Sequence, residues 1–248
     1  MQQVMIVTGG SRGIGAATAR LGAAAGYRIG LTYRGNDAAA QAVVEEIERG
    51  GGVAIAVAAD VGNEADIVRL FNTVDERLGP VTALVNNAGI LERQMRVEGM
   101  DAERLSRILA VNVTGSILCA REAIRRMSTA HGGQGGAIVN LSSVAARLGA
   151  PNEYVDYAAT KGAIDTFTVG LAKEVAAEGI RVNAVRPGII YTDIHTSGGE
   201  PGRVDRLKET VPMKRGGQPE EVAQAILWLL SDTASYTTGT IIDVTGGR

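Results

Sequence analysis

The chain has 248 residues, 45% of them hydrophobic and 21% charged, which is enough to bury a sizeable core and too apolar for intrinsic disorder. A formal net charge of -2 gives no bulk attraction for nucleic acid or an acidic membrane surface, and no apolar run approaches the roughly 18 residues that span a bilayer. The single cysteine, Cys119, excludes an internal disulfide, and no basic-apolar-small leader is visible, so a cytoplasmic protein with small-molecule partners is expected.

In chain order, the apolar run VMIV (Val4–Val7) breaks into TGGSRGIG (Thr8–Gly15) and restarts with helical character over about 13–25. YRIGLTY precedes a helical segment 37–49, GVAIAVAAD precedes 63–78, and TALVNNAG precedes 101–130. GAIVNLSS then leads to 154–178, IRVNAVRPG to a polar stretch 192–216 and a helix at about 218–231, and TIIDVTGG closes the chain. Runs that are apolar on both faces, separated by helices, predict β-α-β crossovers in a doubly wound, seven-stranded parallel α/β sheet. No linker divides the chain, so residues 1–248 read as one domain, with 192–216 as a candidate lid over a site. Cys119 falls on a buried helix as a structural thiol. His131 and His195 lie in glycine- and serine-bearing loops without metal-ligand spacing, and no metal site is expected.

TGGSRGIG follows a strand and opens a helix, so its backbone amides can meet an anion. Gly9 would make the turn, Gly13 would let a pyrophosphate approach, and Gly15 would allow close helix packing. The spacing Gly-x3-Gly-x-Gly differs from the commonest dinucleotide fingerprint, and a tight turn or a methyl-donor pocket could use similar residues. The end of the second strand usually carries an acid that binds a free ribose 2′-hydroxyl. Here it carries Arg34, and Arg12 projects from the glycine loop toward the same region. Two guanidiniums there favour a 2′-phosphate, hence NADPH over NADH, unless both are simply solvated.

Tyr157-x3-Lys161 places a phenol and an ammonium one turn apart, and the cation is expected to draw the phenol toward a working acid-base range. By itself the pair could be helix surface. Leu141-Ser142-Ser143, Asn86-Asn87-Ala88-Gly89 and Asn112 converge on the same sheet edge, and at this point the sequence closely resembles the short-chain dehydrogenase/reductase family in its compact form. TGGSRGIG, Asp60-Val61, NNAG, Asn112, Ser143, YAATK, RPG and Thr192 match in order over nearly the whole chain. The glycine loop and tail resemble 3-oxoacyl-carrier-protein reductases and glucose dehydrogenases about equally.

The resemblance implies a single-domain Rossmann fold and hydride transfer between nicotinamide and a small-molecule carbonyl or alcohol. Tyr157 would be the general acid-base and Ser143 the hydrogen-bond donor to the substrate oxygen, with Ser142 as the alternative hydroxyl. Lys161 would hold the nicotinamide ribose, and Asn112 would hold a water linking Lys161 to solvent, unless Asn112 only marks a helix bend. Gly9, Ser11, Arg12, Gly13, Ile14 and Gly15 would meet the pyrophosphate side, and Asp60 and Val61 the adenine, unless Asp60 is a helix cap. Asn87, Ala88 and Gly89 would lie near the ribose, and Pro187, Gly188, Ile189 and Thr192 would fix the carboxamide. Arg147, Glu153 and Tyr154 are expected to flank the substrate pocket. Relatives pair through the helices 101–130 and 154–178 and the C-terminal segment, which implies a homotetramer. A non-catalytic NADP-binding sensor or scaffold is the rival function.

Overall fold

The computed structural model describes residues 3–248. Its strands are β1 (Val4–Val7), β2 (Arg28–Tyr33), β3 (Ala54–Ala58), β4 (Ala83–Asn86), β5 (Gly136–Leu141), β6 (Ile180–Pro187) and β7 (Ile241–Val244). They form one parallel sheet in the order β3-β2-β1-β4-β5-β6-β7. The winding reverses between β1 and β4, and such a reversal opens a crevice beyond the carboxyl ends of the two strands.

The helices are α1 (Gly13–Ala24), α2 (Asp37–Arg49), α3 (Glu64–Leu78), α4 (Ala102–Leu109), α5 (Gly115–Met127), α6 (Ala145–Leu148), α7 (Val155–Val175), α8 (Ile194–Ser197), α9 (Arg203–Leu207) and α10 (Pro219–Leu230). Alternation along β1 shows why its whole run must be apolar. Val4 and Ile6 enter a core with Phe71 and Val74 of α3, Ala123 of α5 and Val175 of α7. Met5 and Val7 enter a second core with Ala19 of α1, Ile47 of α2 and Ile226 of α10. Both sheet faces are thus covered, and along β1 neither set of alternate positions meets water.

Two elements differ from the sequence reading. The helix expected over 101–130 is interrupted at Ala110–Thr114 by a wide π-helical turn that contains Asn112. The polar stretch 192–216 folds into the short helices α8 and α9 followed by a single turn at Lys208–Thr210, held by side-chain pairs rather than by an apolar face. Cys119 is buried in α5 as expected. His195 lies on α8 rather than in a loop, nearly buried, with Nε2 3.1 Å from the Ile190 carbonyl oxygen.

Candidate active site

The glycine loop caps the crevice at the end of β1. Gly9 has a φ of +64°, and a Cβ there would lie 3.0 Å from the Ala88 Cα, so only glycine turns the chain at that point without strain. A Cβ on Gly15 would lie 2.3 Å from the Gly9 carbonyl oxygen, so its close packing is against the loop itself rather than against the strand. Thr32 Oγ1 accepts from the Gly9 amide at 2.9 Å. Asn87 Nδ2 donates to the carbonyls of Thr8 and Gly9 at 2.8 and 2.9 Å, so this side chain shapes the loop. Helix α1 has no side-chain cap and no acid in its first turn, which leaves its positive end open to the cleft.

The cleft encloses about 880 Å³. Gly9, Ser11, Arg12, Gly13, Ile14, Arg34, Asp60, Val61, Asn87, Ala88, Gly89, Pro187, Gly188, Ile189 and Thr192 all line it, together with Ser143, Tyr157 and Lys161. Of the residues singled out in the sequence for catalysis or cofactor binding, Gly15 and Asn112 stand one layer behind the wall. Bare loop backbone, an uncapped helix end and a cation at the strand edge fit the phosphates of a dinucleotide.

Arg34 stands at the end of β2, largely exposed, with Nη1 3.5 Å from an Asp60 carboxylate oxygen. An exposed pair at that distance contributes little and leaves the guanidinium available. Asp60 does not cap α3: Asn63 does, accepting from Ala65 and Asp66, while Asp60 Oδ1 accepts from Gly62 at 2.8 Å. Arg12 does not turn toward Arg34. Its Nη2 lies 3.4 Å from Ser197 Oγ on α8, across the cleft.

At the other end, β5 delivers the two serines and α7 delivers the phenol and the ammonium. Ser142 is buried and donates to the Lys161 carbonyl at 3.2 Å, which occupies its hydroxyl in joining β5 to α7. Ser143 Oγ accepts from the Ala145 amide at 3.1 Å, and the Ser143 hydroxyl is near enough to the Tyr157 phenol to favour its ionised form. Lys161 Nζ donates to the Leu141 carbonyl at 2.6 Å. Burial pushes the Tyr157 phenol up to about 12, against the lowering effect of the Ser143 hydrogen bond. The same burial brings the Lys161 ammonium down to about 8, although Asp165 one turn further along α7 opposes it. The sequence suggested a phenol lowered by its cation; here desolvation raises it, and the opposing effect comes from Ser143 rather than from Lys161. Asn112 uses its amide on neighbours: Oδ1 accepts from the Ile90 amide at 2.8 Å, and Nδ2 donates to the Ile90 carbonyl at 3.0 Å and to Thr160 Oγ1 at 3.2 Å.

Glu153, Tyr154, His195 and Arg203 also line the cleft, but Arg147, expected to flank a substrate pocket, does not. Arg147 turns outward to Asp243 of β7 at 2.5 Å, where a carboxylate lies within reach of its exposed position. Arg203, which sequence inspection overlooked, lies 5.0 Å over the Tyr154 ring and pairs with Glu153 and Glu200 at 2.5 and 3.0 Å. No sequence signal links Arg203 to Glu153, because the two stand fifty positions apart.

A family model described as enoyl-(acyl carrier protein) reductase matches residues 9–248. The chain is similar to the uncharacterized oxidoreductase YgfF of Escherichia coli, with 60% identity over 245 residues and 99% of each chain covered. The chain belongs to the short-chain dehydrogenase/reductase family. As a member it is an oxidoreductase of carbonyl and alcohol groups, and the family binds a nicotinamide cofactor, which sets aside the sensor or scaffold reading. The 3-oxoacyl-[acyl-carrier-protein] reductase of a Synechocystis species is 40% identical to this short-chain dehydrogenase/reductase over 246 residues, covering 99% of this chain and 96% of that one. A solved short-chain dehydrogenase/reductase from Serratia marcescens superposes with a TM-score of 0.90 at 31% identity, covering 99% of this chain and 97% of that one.

Proposed function

We propose that this family member is an NADPH-dependent carbonyl reductase, acting in reverse as an alcohol dehydrogenase, with Tyr157 as general acid-base. One observation carries the reading: the Tyr157 phenol meets the Ser143 hydroxyl and the buried Lys161 in the same cleft that the bare glycine loop opens into. Gly9, Ser11, Gly13 and Ile14 would hold the pyrophosphate, Arg34 the 2′-phosphate, Asp60 and Val61 the adenine, and Ala88 and Gly89 the ribose. Pro187, Gly188, Ile189 and Thr192 would fix the carboxamide. When bound, the reduced nicotinamide supplies a hydride for a carbonyl carbon.

Ser143 orients the carbonyl oxygen through a hydrogen bond, and Tyr157 gives that oxygen a proton as negative charge develops. A phenol that keeps its proton up to about 12 is fully loaded as a donor at neutral pH. Lys161, still largely charged there, stabilises the phenolate left behind. Asn112 fixes the Ile90 backbone next to Gly89, which faces Lys161; the water that links Lys161 to solvent would have to be held elsewhere than on its committed side-chain amide. The segment 192–216 acts as the substrate lid, since α8 and α9 border the cleft.

A cytoplasmic homotetramer is the assembly we assign. Ile117 of α5 and Val169 of α7 are exposed apolar side chains on the helices through which relatives pair, and Trp228 is exposed on α10. Light scattering should return four 25.8 kDa chains, and a monomer at micromolar concentration would refute the assignment. No helix among the described residues is long and apolar enough to cross a membrane.

The test of function is a panel of ketones, β-ketoacyl thioesters, sugars and steroids, with loss of NADPH absorbance as the readout. At least one class should be turned over, with NADH a poorer donor. Failure to bind NADPH at all would overturn the reading.

A further inference from the structure

Tyr157 is the third residue of α7, so it belongs to the turn whose amides have no intrahelical acceptor. The N-cap position, Tyr154, makes no side-chain cap. A reactive phenol therefore sits on the part of a helix most given to fraying. Its amide is nevertheless satisfied: Tyr157 N donates to Asp156 Oδ1 at 2.9 Å, and Asp156 Oδ2 accepts from Arg104 Nε at 2.7 Å. These two side chains are only 1% and 6% exposed.

Arg104 is itself fixed from two further directions. Its amide donates to Asp101 Oδ1, the cap of α4, at 2.7 Å. Its Nη1 donates to the Arg93 carbonyl at 2.7 Å, in the segment after β4 that also supplies Ile90 and Leu91 to the cleft wall. One guanidinium thus joins α4, the cleft wall and the start of α7. A buried ion pair is a poor source of net stability, because desolvation of both charges offsets most of their attraction. What the pair does supply is a single geometry for the turn that carries the phenol.

We propose that Arg104 and Asp156 are positioning residues for Tyr157, fixing the first turn of α7 so that the phenol stands at hydrogen-bonding distance from Ser143 and the substrate oxygen. The proposal rests on the reading of Tyr157 as acid-base. Displacement of a reacting group by about 1 Å can cost on the order of a hundredfold in rate. The pair touches neither the glycine loop nor Arg34, so cofactor affinity should not follow.

The experiment compares Asp156→Asn and Arg104→Gln with wild type, and repeats Asp156→Asn in a Tyr157→Phe background. Steady-state kcat and the NADPH Kd are measured on each full-length variant. We expect kcat to fall roughly ten- to a hundredfold in both single variants while the NADPH Kd moves less than about threefold. In the Tyr157→Phe background the same Asp156 change should cost less than about twofold, because it acts through the missing hydroxyl. Should either single variant fail to fold, the double variant Arg104→Gln/Asp156→Asn, which leaves no unpaired buried charge, is held to the same criteria. Wild-type turnover in these variants, or an equal loss with and without the Tyr157 hydroxyl, overturns the proposal alone. Full activity in Tyr157→Phe itself overturns the acid-base reading, and with it this one.

Discussion

Lys161 Nζ is bonded to the carbonyl of Leu141, the last residue of β5, and stands 5.5 Å from the centre of the Tyr157 ring. The ammonium is therefore held by the sheet edge, beside the phenol, and burial drives the two groups' acidities apart from their usual order. A lysine near 8 next to a tyrosine near 12 means that the lysine gives up its proton first.

That order suits Tyr157 to the proton-donor role proposed for it in the reductive direction. Tyr157→Phe should bind NADPH as wild type does and lose about 10²- to 10⁴-fold in kcat, since only a positioned hydroxyl is removed. Ser143→Ala should behave similarly. Ser142→Ala should keep most of its turnover and instead lower the melting temperature, because that hydroxyl ties β5 to α7. Kinetics and a thermal melt on the three variants test this, and a Ser142→Ala enzyme as inactive as Ser143→Ala would reverse the assignment of the two serines.

The pH dependence follows with a definite sign. Below about 8 Lys161 is an ammonium; above it the charge is lost, while Tyr157 remains protonated until about 12. Reductive kcat/KM for NADPH, which reports on the free enzyme, should be flat below pH 8 and fall about tenfold per pH unit above it. Stability should respond the other way. Lys161 is depressed from its unfolded value of 10.5, so the unfolded chain binds the extra proton between about 8 and 10.5, and this group's contribution to stability rises with pH across that window. Lys161→Met should flatten the kinetic step, and a step that persists in it would assign the titration elsewhere.

The seven strands and the principal helices were legible because burial on both faces of the sheet leaves β-strands no polar alternation, and because helices such as Asp37–Arg49 carry clear apolar periodicity. The residues around the glycine loop and α7 were legible through spacing within single elements. What escaped were partnerships across the chain. Arg104 and Asp156 drew no notice in the sequence, since nothing local marks their mutual burial. Arg147 was misplaced for the same reason: its partner, Asp243, lies on the last strand. The wide turn at Ala110–Thr114 has no compositional signature either, as AVNVT would sit equally well in a regular helix.

Cofactor choice should rest on Arg34 rather than on Arg12. A charge-assisted hydrogen bond to phosphate is worth roughly 1.5–3 kcal/mol, so Arg34→Ala should reduce the preference for NADPH over NADH by about ten- to a hundredfold. Arg12→Ala should change it far less, because that guanidinium lies beside Ser197 across the cleft. Titration of both nucleotides into both variants decides the matter, and an unchanged preference in Arg34→Ala would remove Arg34 from the 2′-phosphate site.

Cys119 should be inert in the folded protein. Burial pushes its thiol up to about 12, with the nearby Glu122 carboxylate adding to the effect, so almost no thiolate exists at neutral pH. An aromatic disulfide reagent at pH 8 should titrate no thiol natively and one per chain in denaturant. Rapid native labelling would contradict the buried placement.

The wide turn in front of α5 also has a rotational consequence. Arg104, Ile108, Asn112, Ser116, Ala120, Ala123 and Met127 form one buried stripe that makes six steps along the α4–α5 rod. At about 3.6 residues per turn, a regular helix with that spacing drifts by roughly two-fifths of a turn and would swing its far end off the sheet. One surplus residue in the wide turn takes back about 100° of that drift. The turn thus works as a phase corrector, letting a single rod present Arg104 to α7 at one end and Met127 to the sheet at the other.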